Sequence, residues 1–242
     1  MSNLSGKERG EYVQGMFARI AHRYEIMNRL MTAGQDARWR EQVIHQARLC
    51  PNALLLDIGS GTGDLAREAL RQHPTTQVVA ADFTLEMMRV GQTASRLASP
   101  DGNSSYAWSA ADVLKLPFNE RTFDAIVSGF LMRNVGDIQG ALSEQYRVLG
   151  PGGRIVILDT TKPTPSLLSP FIWFYMHVVI PIVGGLLSGF KEAYDYLPAS
   201  TDSFITVKEM VVRMAAVGFK KINFKTLMFG TIAIHWGEKP YE

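Results

Sequence analysis

LLLDIGSGTGD, residues 54–64, decides the fold. Leu54, Leu55, Leu56 and Ile58 form an apolar run that reads as a strand buried on both faces, as in the middle of a parallel sheet. Gly59, Gly61 and Gly63 end that strand, because they allow a tight turn and let a ligand come close to backbone N–H groups. Residues 65–72 then read as a helix starting beside the turn. Strand, glycine turn and helix in this order form a cofactor loop of an α/β protein.

Several ligands use such a loop. A dinucleotide fingerprint places its third glycine three positions after the second, and Asp64 stands there instead. Its carboxylate would repel a diphosphate but could attract the ammonium of an amino-acid-like ligand such as S-adenosylmethionine. No lysine follows the glycines as in a phosphate-binding loop, which argues against a nucleoside triphosphate. A purely structural turn is the alternative. Val78-Val79-Ala80-Ala81-Asp82 is a second apolar run ending in an acid, at about the twenty-residue distance where such an acid reaches an adenosine ribose. An ordinary strand-end or helix-capping Asp is its alternative. Ala111-Asp112-Val113, followed by Leu116-Pro117-Phe118, puts an acid and apolar residues where an adenine could be held. Each signal is weak alone; their order makes them reinforce one another.

The chain has 242 residues, 46% hydrophobic and 20% charged, enough for one sizeable core with nothing that demands two domains. A net charge of +2 gives no sign of a nucleic-acid partner. Cys50 is the sole cysteine, so no internal disulfide forms, and no Cys/His cluster has metal-ligand spacing. A reducing cytoplasm and a metal-free site are therefore expected, and residues 1–12 show no apolar signal-peptide core.

The expected order is a helical cover over 13–49, a cofactor-binding core over 54–158, a substrate-covering flap over 162–206 and a final helix and hairpin over 207–242. Val13, Met16, Phe17, Ile20, Tyr24, Met27 and Met31 recur at spacings of three and four, as on amphipathic helices. These helices either pack on the core or bring Tyr24, Met27 and Asn28 over the cofactor as a lid. After Gly34, residues 38–49 read as another helix, with Trp39 and Ile44 in the core. Strands are expected at 77–81, 106–110, 123–128 and 154–158, with helices at 84–98, capped by Thr84, and at 138–149. Residues 99–103 read as a loop, and Gly150-Pro151-Gly152-Gly153 as a hard turn. Residues 167–190, LLSPFIWFYMHVVIPIVGGLLSGF, are long enough to cross a bilayer, which takes about 20 apolar residues. Pro170, Pro181 and His177 weaken that reading. A broken helical flap that covers an apolar substrate and touches the membrane surface is preferred over a plain core helix or a true span. Residues 207–217 read as a helix capped by Gly218, and 219–229 with 231–236 as a hairpin at the sheet edge, turning at Gly230.

Residues 57–64, Asp82, Leu116-Pro117-Phe118, Phe123-Asp124, Arg147-Val148-Leu149 and the glycines at 150–153 together resemble class I S-adenosylmethionine-dependent methyltransferases. More narrowly, Tyr24-Glu25-Ile26-Met27-Asn28, Arg133-Asn134-Val135, Lys162-Pro163, Tyr194-Asp195-Tyr196-Leu197 and Ala233-Ile234-His235-Trp236-Gly237 resemble the ubiquinone/menaquinone biosynthesis C-methyltransferases. The resemblance implies an α/β, Rossmann-like fold with a seven-stranded, mostly parallel sheet, helices on both faces and a C-terminal β-hairpin. It implies S-adenosylmethionine as donor, S-adenosylhomocysteine as product and a prenylated quinol as acceptor, demethylmenaquinol first among them; a homodimer is left open. It places Gly59 and Thr62 near the methionine part of the donor, Asp82 on ribose and Asp112 near adenine. Asp57, Ser60, Gly61, Gly63, Phe83, Met87, Ala111, Val113, Ser128, Gly129 and Tyr24 complete the donor site. Three departures stand out. The family usually has Phe-Gly-(Ile or Leu) where this chain has Phe130-Leu131-Met132, Glu-Phe-Ser where it has Asp159-Thr160-Thr161, and His-Arg where it has Asp36-Ala37. All are expected to bear on the acceptor pocket and to leave the donor site untouched.

Methyl transfer from a sulfonium needs alignment of carbon, methyl and sulfur and exclusion of water. A quinol ring carbon is nucleophilic only as an adjacent hydroxyl loses its proton, so a base is needed. Arg133 is the first catalytic candidate, holding the ring oxygen or orienting a water, because its fixed charge stabilises a forming phenolate. The base is that water, or else His235, Asp159 or Tyr194, and Asn134 is a further candidate. Each has a structural alternative: Arg133 as a salt-bridge residue, His235 as a packed histidine, Asn134 as a cap. A methyltransferase of another lipophilic phenol and a non-catalytic donor-binding protein are the rival functions.

Overall fold

The computed structural model describes residues 6–98, 106–162, 167, 169–188 and 191–241. The loop expected at 99–103 and Pro163 lie outside the described residues, as do parts of the flap. Three helices come first: α1 (Gly6–Ile20), α2 (Tyr24–Met31) and α3 (Gln35–Ala47). An alternating series follows: β1 (Leu54–Ile58), α4 (Asp64–Gln72), β2 (Gln77–Asp82), α5 (Leu85–Ala98), β3 (Tyr106–Ala110), β4 (Phe123–Gly129), α6 (Ile138–Val148) and β5 (Leu149–Thr160). The flap carries α7 (Ser169–Phe174), α8 (Ile180–Ser188) and α9 (Lys191–Asp202), and α10 (Val207–Val217), β6 (Lys220–Leu227) and β7 (Ile232–Glu238) close the chain.

The strands form one seven-stranded sheet in the order β3-β2-β1-β4-β5-β7-β6. β1 to β5 pair in parallel, and β7 runs antiparallel between β5 and β6. Side-chain alternation divides the core. Leu56, Ile58, Ile126, Ile155 and Ile157 pack on the face covered by α6 and α10, whereas Leu55, Val127, Val156 and Leu158 pack on the face covered by α3 and α4. Burying each of these large aliphatic side chains stabilises the fold by about 1.5–3 kcal/mol, which is why β1 reads as an apolar run broken only by Asp57. A separate cluster, Met16, Ile20, Met27, Ile180 and Tyr194, joins the first helices to the flap.

Two expectations are corrected. The residues at 150–153 are not a turn ahead of a strand: β5 runs through them, and the extra length is absorbed as a bulge, since Phe123 pairs with Leu149 while Ala125 pairs with Arg154. Gly152 sits there at φ +73, with its N–H donating to the Lys239 carbonyl at 2.8 Å. The cover helix expected at 38–49 begins earlier, at Gln35, because Gly34 at φ +75 takes the left-handed position that separates it from α2. The flap is a broken helix: a π-helical turn at Tyr175–Val179 separates α7 from α8, and Pro181 falls in the first turn of α8. Among the described residues no helix is long and apolar enough to cross a membrane.

Candidate active site

The strand order reverses between β1 and β4, and at that switch point, off the carboxyl ends of the strands, lies a cavity of about 550 Å³. That size suits a small ligand. Gly59 (φ +68) and Gly61 (φ +57) form one wall. The loop is pinned to β2, because the N–H groups of Gly59 and Ser60 donate to the Ala81 carbonyl at 2.8 and 3.1 Å. Asp82 braces it from the other side: Oδ2 accepts from the Gly61 N–H and Oδ1 from the Thr84 N–H, both at 2.7 Å. Burial pushes the Asp82 carboxyl above its usual range, and those donated hydrogen bonds oppose the shift. Beyond Asp82 the wall continues through Phe83 and Met87 to Ala111, Asp112 and Val113, and Asp112 Oδ1 accepts from the Leu114 N–H at 2.9 Å. Gly129, at the end of β4, faces them.

The roof comes from α1. Val13 and Phe17 line the cavity beside Glu11 and Gln14, and the Gln14 amide donates to the Phe83 carbonyl at 3.0 Å. Glu11 and Gln14 escaped the sequence reading, which followed only the apolar stripe of this helix. The available signal was their place next to that stripe.

Asp57, Ser60, Thr62, Gly63 and Ser128 lie behind the cavity wall rather than on it. Gly63 (φ +85) opens α4, and a Cβ there would stand 2.2 Å from Tyr106 Oη. Thr62 is buried, and its side chain bonds Glu25 of α2. Asp64 is corrected as an ammonium attractor: its carboxylate is ion-paired with Arg40 at 2.7 Å and with Arg67, which also reaches Glu25 at 2.8 Å. The acid at the third-glycine position therefore ties α2, α3 and α4 together. Asp57 Oδ1, Ser60 Oγ and Ser128 Oγ are buried at this strand edge without a hydrogen-bond partner among the described residues. Glycine backbone, an acid at the end of β2 and spare polar atoms under the loop are what an adenosyl amino acid requires, so the residues fit S-adenosylmethionine.

Asp57 accepts from the Ala66 N–H at 3.1 Å, and burial pushes its carboxyl up to about 8. Unfolded, the same group loses its proton at about 4. The folded chain thus holds the extra proton, and this contribution to stability is full below about pH 4 and is lost as pH rises toward 8. Asp57→Asn is expected to flatten that trend. Thermal unfolding at pH 5 and pH 8 should show a larger drop for the wild type than for the variant, and equal drops would count against the protonated state.

A second cavity of about 90 Å³ lies behind the first and shares Phe17, Tyr24 and Phe130 with it. Met16, Ile20, Met27, Met31, Trp39, Met176, Ile180 and Leu197 make it apolar. Arg133 enters from the 3₁₀ turn Met132–Asn134 that follows β4. The Arg133 side chain is 7% exposed; its Nη1 donates to Asp159 Oδ1 at 2.7 Å, and the residue's backbone N–H donates to Oδ2 at 3.1 Å. It also stands 5.0 Å from the centre of the Phe130 ring. Phe130 itself adopts φ +59, a left-handed conformation that costs a non-glycine residue about 1–3 kcal/mol. Asn134 holds it: Nδ2 donates to the Phe130 carbonyl at 3.0 Å, while Oδ1 accepts from Tyr196 Oη at 3.1 Å. The phenol of Tyr24 is pushed up by burial, against the opposing charge of Arg133.

The remaining candidates divide. Tyr194 is buried and lines the second cavity. Asp159 lines neither cavity and is committed to Arg133 and to the Thr160 N–H at 2.8 Å, so it holds the arginine instead of taking a proton. His235 is corrected as a base. It sits on β7 beside Phe224, its Nε2 bonded to the Val207 carbonyl at 3.1 Å, away from both cavities, and burial pushes it down to about 4. The departures are corrected too. Thr160 lines the second cavity, as expected of an acceptor-side change, but Leu131 lines the first. Among the described residues no His, Cys, Asp and Glu group could hold a metal ion.

The switch-point cavity and this strand order define a class I S-adenosylmethionine-dependent methyltransferase fold. An S-adenosylmethionine-dependent methyltransferase from Aquifex aeolicus superposes with a TM-score of 0.58 at 15% identity, over 83% of this chain and 89% of that one. At that identity the likeness speaks for the fold alone. The sequence itself goes further: residues 5–239 match the ubiE/COQ5 methyltransferase family, and the chain belongs to it. It is 40% identical over 231 residues to the ubiquinone/menaquinone biosynthesis C-methyltransferase UbiE of Desulfotalea psychrophila, covering 96% of this chain and 92% of that protein. It is also 40% identical over 225 residues to the demethylmenaquinone methyltransferase of Thermus thermophilus, covering 93% of this chain and 100% of that protein.

Proposed function

We propose that this methyltransferase moves the methyl group of S-adenosylmethionine to a ring carbon of a prenylated quinol, with demethylmenaquinol as the acceptor. The observation that carries this reading is the pair of cavities meeting at Phe17, Tyr24 and Phe130, one walled by the glycine loop and Asp82, the other mostly apolar with Arg133 as its one charged lining residue. S-adenosylmethionine, when bound, supplies an electrophilic methyl on sulfur and leaves as the thioether.

The residues of the chain do the rest. Asp82 accepts the ribose hydroxyls, Ala111 to Val113 flank the adenine, and Phe17 and Tyr24 close over the junction and keep water out. Arg133 presents a fixed positive charge to the ring oxygen, which lowers the cost of moving its proton to a water on the same guanidinium. The ring carbon forms its new bond with the electrons so released, and the hydrogen it carried leaves as a second proton to water. Asp159 keeps the guanidinium in place, and Asn134 keeps Phe130 between the two cavities.

Labelled S-adenosylmethionine incubated with a demethylated prenyl naphthoquinol tests the reading. Label on the ring carbon is expected, and donor binding without transfer would overturn it. Thr160, at a cavity position where the family pattern has an aromatic residue, favours a second reading: a bulkier lipophilic phenol as acceptor. Transfer to such a phenol in preference to the naphthoquinol would select it.

Membrane contact through the flap belongs to the same proposal. Leu167, Phe171, Trp173 and Phe174 are exposed, and α8, which follows them, lines the second cavity through Ile180. Changing Phe171 and Trp173 together to aspartate is expected to cut co-sedimentation with anionic liposomes at least five-fold, given the burial energy of two aromatic side chains. Turnover of a short-tailed, water-soluble quinol should hardly change. Undiminished sedimentation would defeat this part.

A further inference from the structure

Leu131 is placed where nothing in the glycine loop would lead one to expect a bulky side chain. It follows the strained Phe130, lines the larger cavity, and lies flat on Gly59: a Cβ built on that glycine would be 2.8 Å from Leu131 Cδ1 and 3.0 Å from its Cβ. The positive φ of Gly59 and this contact together set the leucine against the glycine backbone, so the two form one wall of the cavity and the leucine side chain decides how far that wall reaches inward.

The position along the cavity matters. Along the strand order β3-β2-β1-β4, Asp112 follows β3, Asp82 ends β2, Gly59 follows β1 and Phe130 follows β4, where, with Phe17 and Tyr24, it forms the junction with the apolar cavity. A donor laid along this path, adenine first, brings its sulfur to the stretch between Asp82 and Phe130. Leu131 is the apolar side chain bounding that stretch on the Gly59 side.

We propose that Leu131 determines donor specificity, setting the size of the alkyl group that the site accepts on the adenosyl sulfur. This rests on the assignment of the larger cavity to S-adenosylmethionine. A leucine here excludes groups larger than methyl, and a smaller residue opens the same space without touching the acid that holds the ribose or the arginine of the second cavity.

Calorimetric binding to the whole chain tests this without any acceptor. The probes are S-adenosylhomocysteine, S-adenosylmethionine and its S-ethyl and S-allyl analogues, against wild type, Leu131→Met, Leu131→Ala and Leu131→Gly. The wild type and Leu131→Met should prefer the methyl over the allyl sulfonium. That preference should fall at least ten-fold in Leu131→Ala and further in Leu131→Gly, with S-adenosylhomocysteine affinity changed less than three-fold. Competition between the two sulfonium donors in a turnover assay should shift in the same direction. A preference that stays flat from methionine to alanine overturns the proposal even if the glycine variant does not fold. Failure of the wild type to bind any adenosyl compound would instead remove the cavity assignment itself, so the two failures are distinguishable.

Discussion

Arg133→Ala is expected to lower turnover by about two to three orders of magnitude while changing donor affinity less than about three-fold, as for loss of a group that meets charge only in the transition state. The size of the effect follows from where the guanidinium sits. It is buried at the edge of a mostly apolar cavity, where a charge acts through a low dielectric, and it alone of the lining residues carries a fixed charge, Asn28 and the tyrosines offering neutral hydrogen bonds only. The same burial complicates the variant. Asp159 would be left as an uncompensated buried carboxylate, at a cost of about 3–5 kcal/mol. Arg133→Lys separates the two effects, because an ammonium can still pair with Asp159 but lacks the planar fork that reaches the carboxylate and a ring oxygen together. The lysine variant should melt close to the wild type and yet turn over at least ten-fold more slowly. Steady-state kinetics with calorimetric titration of S-adenosylhomocysteine gives both quantities. Equal losses in turnover and donor affinity, or full turnover in the lysine variant, would remove Arg133 from the reaction.

The architecture was legible where local pattern and long-range packing ask for the same thing. The apolar run at 54–58 and the helix at 207–217 become β1 and α10 with the expected bounds, because the residues that favour each element locally also bury it. The glycines at 150–153 misled for the opposite reason. Local composition favours a turn, but pairing of Leu149 and Arg154 with β4, and of Gly152 and Gly153 with Lys239, keeps these residues within the strand as a bulge. The sequence pattern likewise marked Asp82, which ends an apolar run, and Asp112, which stands among apolar residues, whereas Arg133 was marked by the family resemblance. Their partners were not readable. Arg133 and Asp159 meet across the ends of β4 and β5, and Asp64 meets Arg40 across α3 and α4. A carboxylate read in isolation could be assigned to a ligand; with its arginines in place it is part of the scaffold. The roof over the donor cavity was hidden for a related reason, since Glu11 and Gln14 look like the solvent side of an amphipathic helix until α1 is laid across the strand ends.

Asp82→Ala should weaken S-adenosylhomocysteine binding by about 100-fold or more, the larger of the effects available from the donor side. The carboxylate has two duties that fall together. Its oxygens take the N–H groups of Gly61 and Thr84, with the Phe83 N–H and the Thr84 hydroxyl also donating to the carboxylate, and the group lines the cavity where the ribose would lie. Removing it leaves the Gly61 and Thr84 backbone donors without that acceptor, at about 1–3 kcal/mol each, and loosens the loop that Gly59 and Gly61 need in order to lie against the ligand. Two hydrogen bonds to a charged group, each contributing about 1.5–3 kcal/mol, account for the remaining loss of affinity. Asp112 provides the contrast. It lines the same cavity, but it is exposed and its carboxylate caps only its own turn through the Leu114 N–H, so Asp112→Ala should cost less than about ten-fold. Asp82→Asn isolates the charge, because the amide oxygen can keep one of the two backbone donors while the second meets an amide nitrogen. It should fall between the wild type and Asp82→Ala in both melting temperature and affinity. If Asp82 and Asp112 variants lose affinity equally, the clamp at the end of β2 is not what holds the donor, and the adenosyl group must lie along the cavity in the opposite sense.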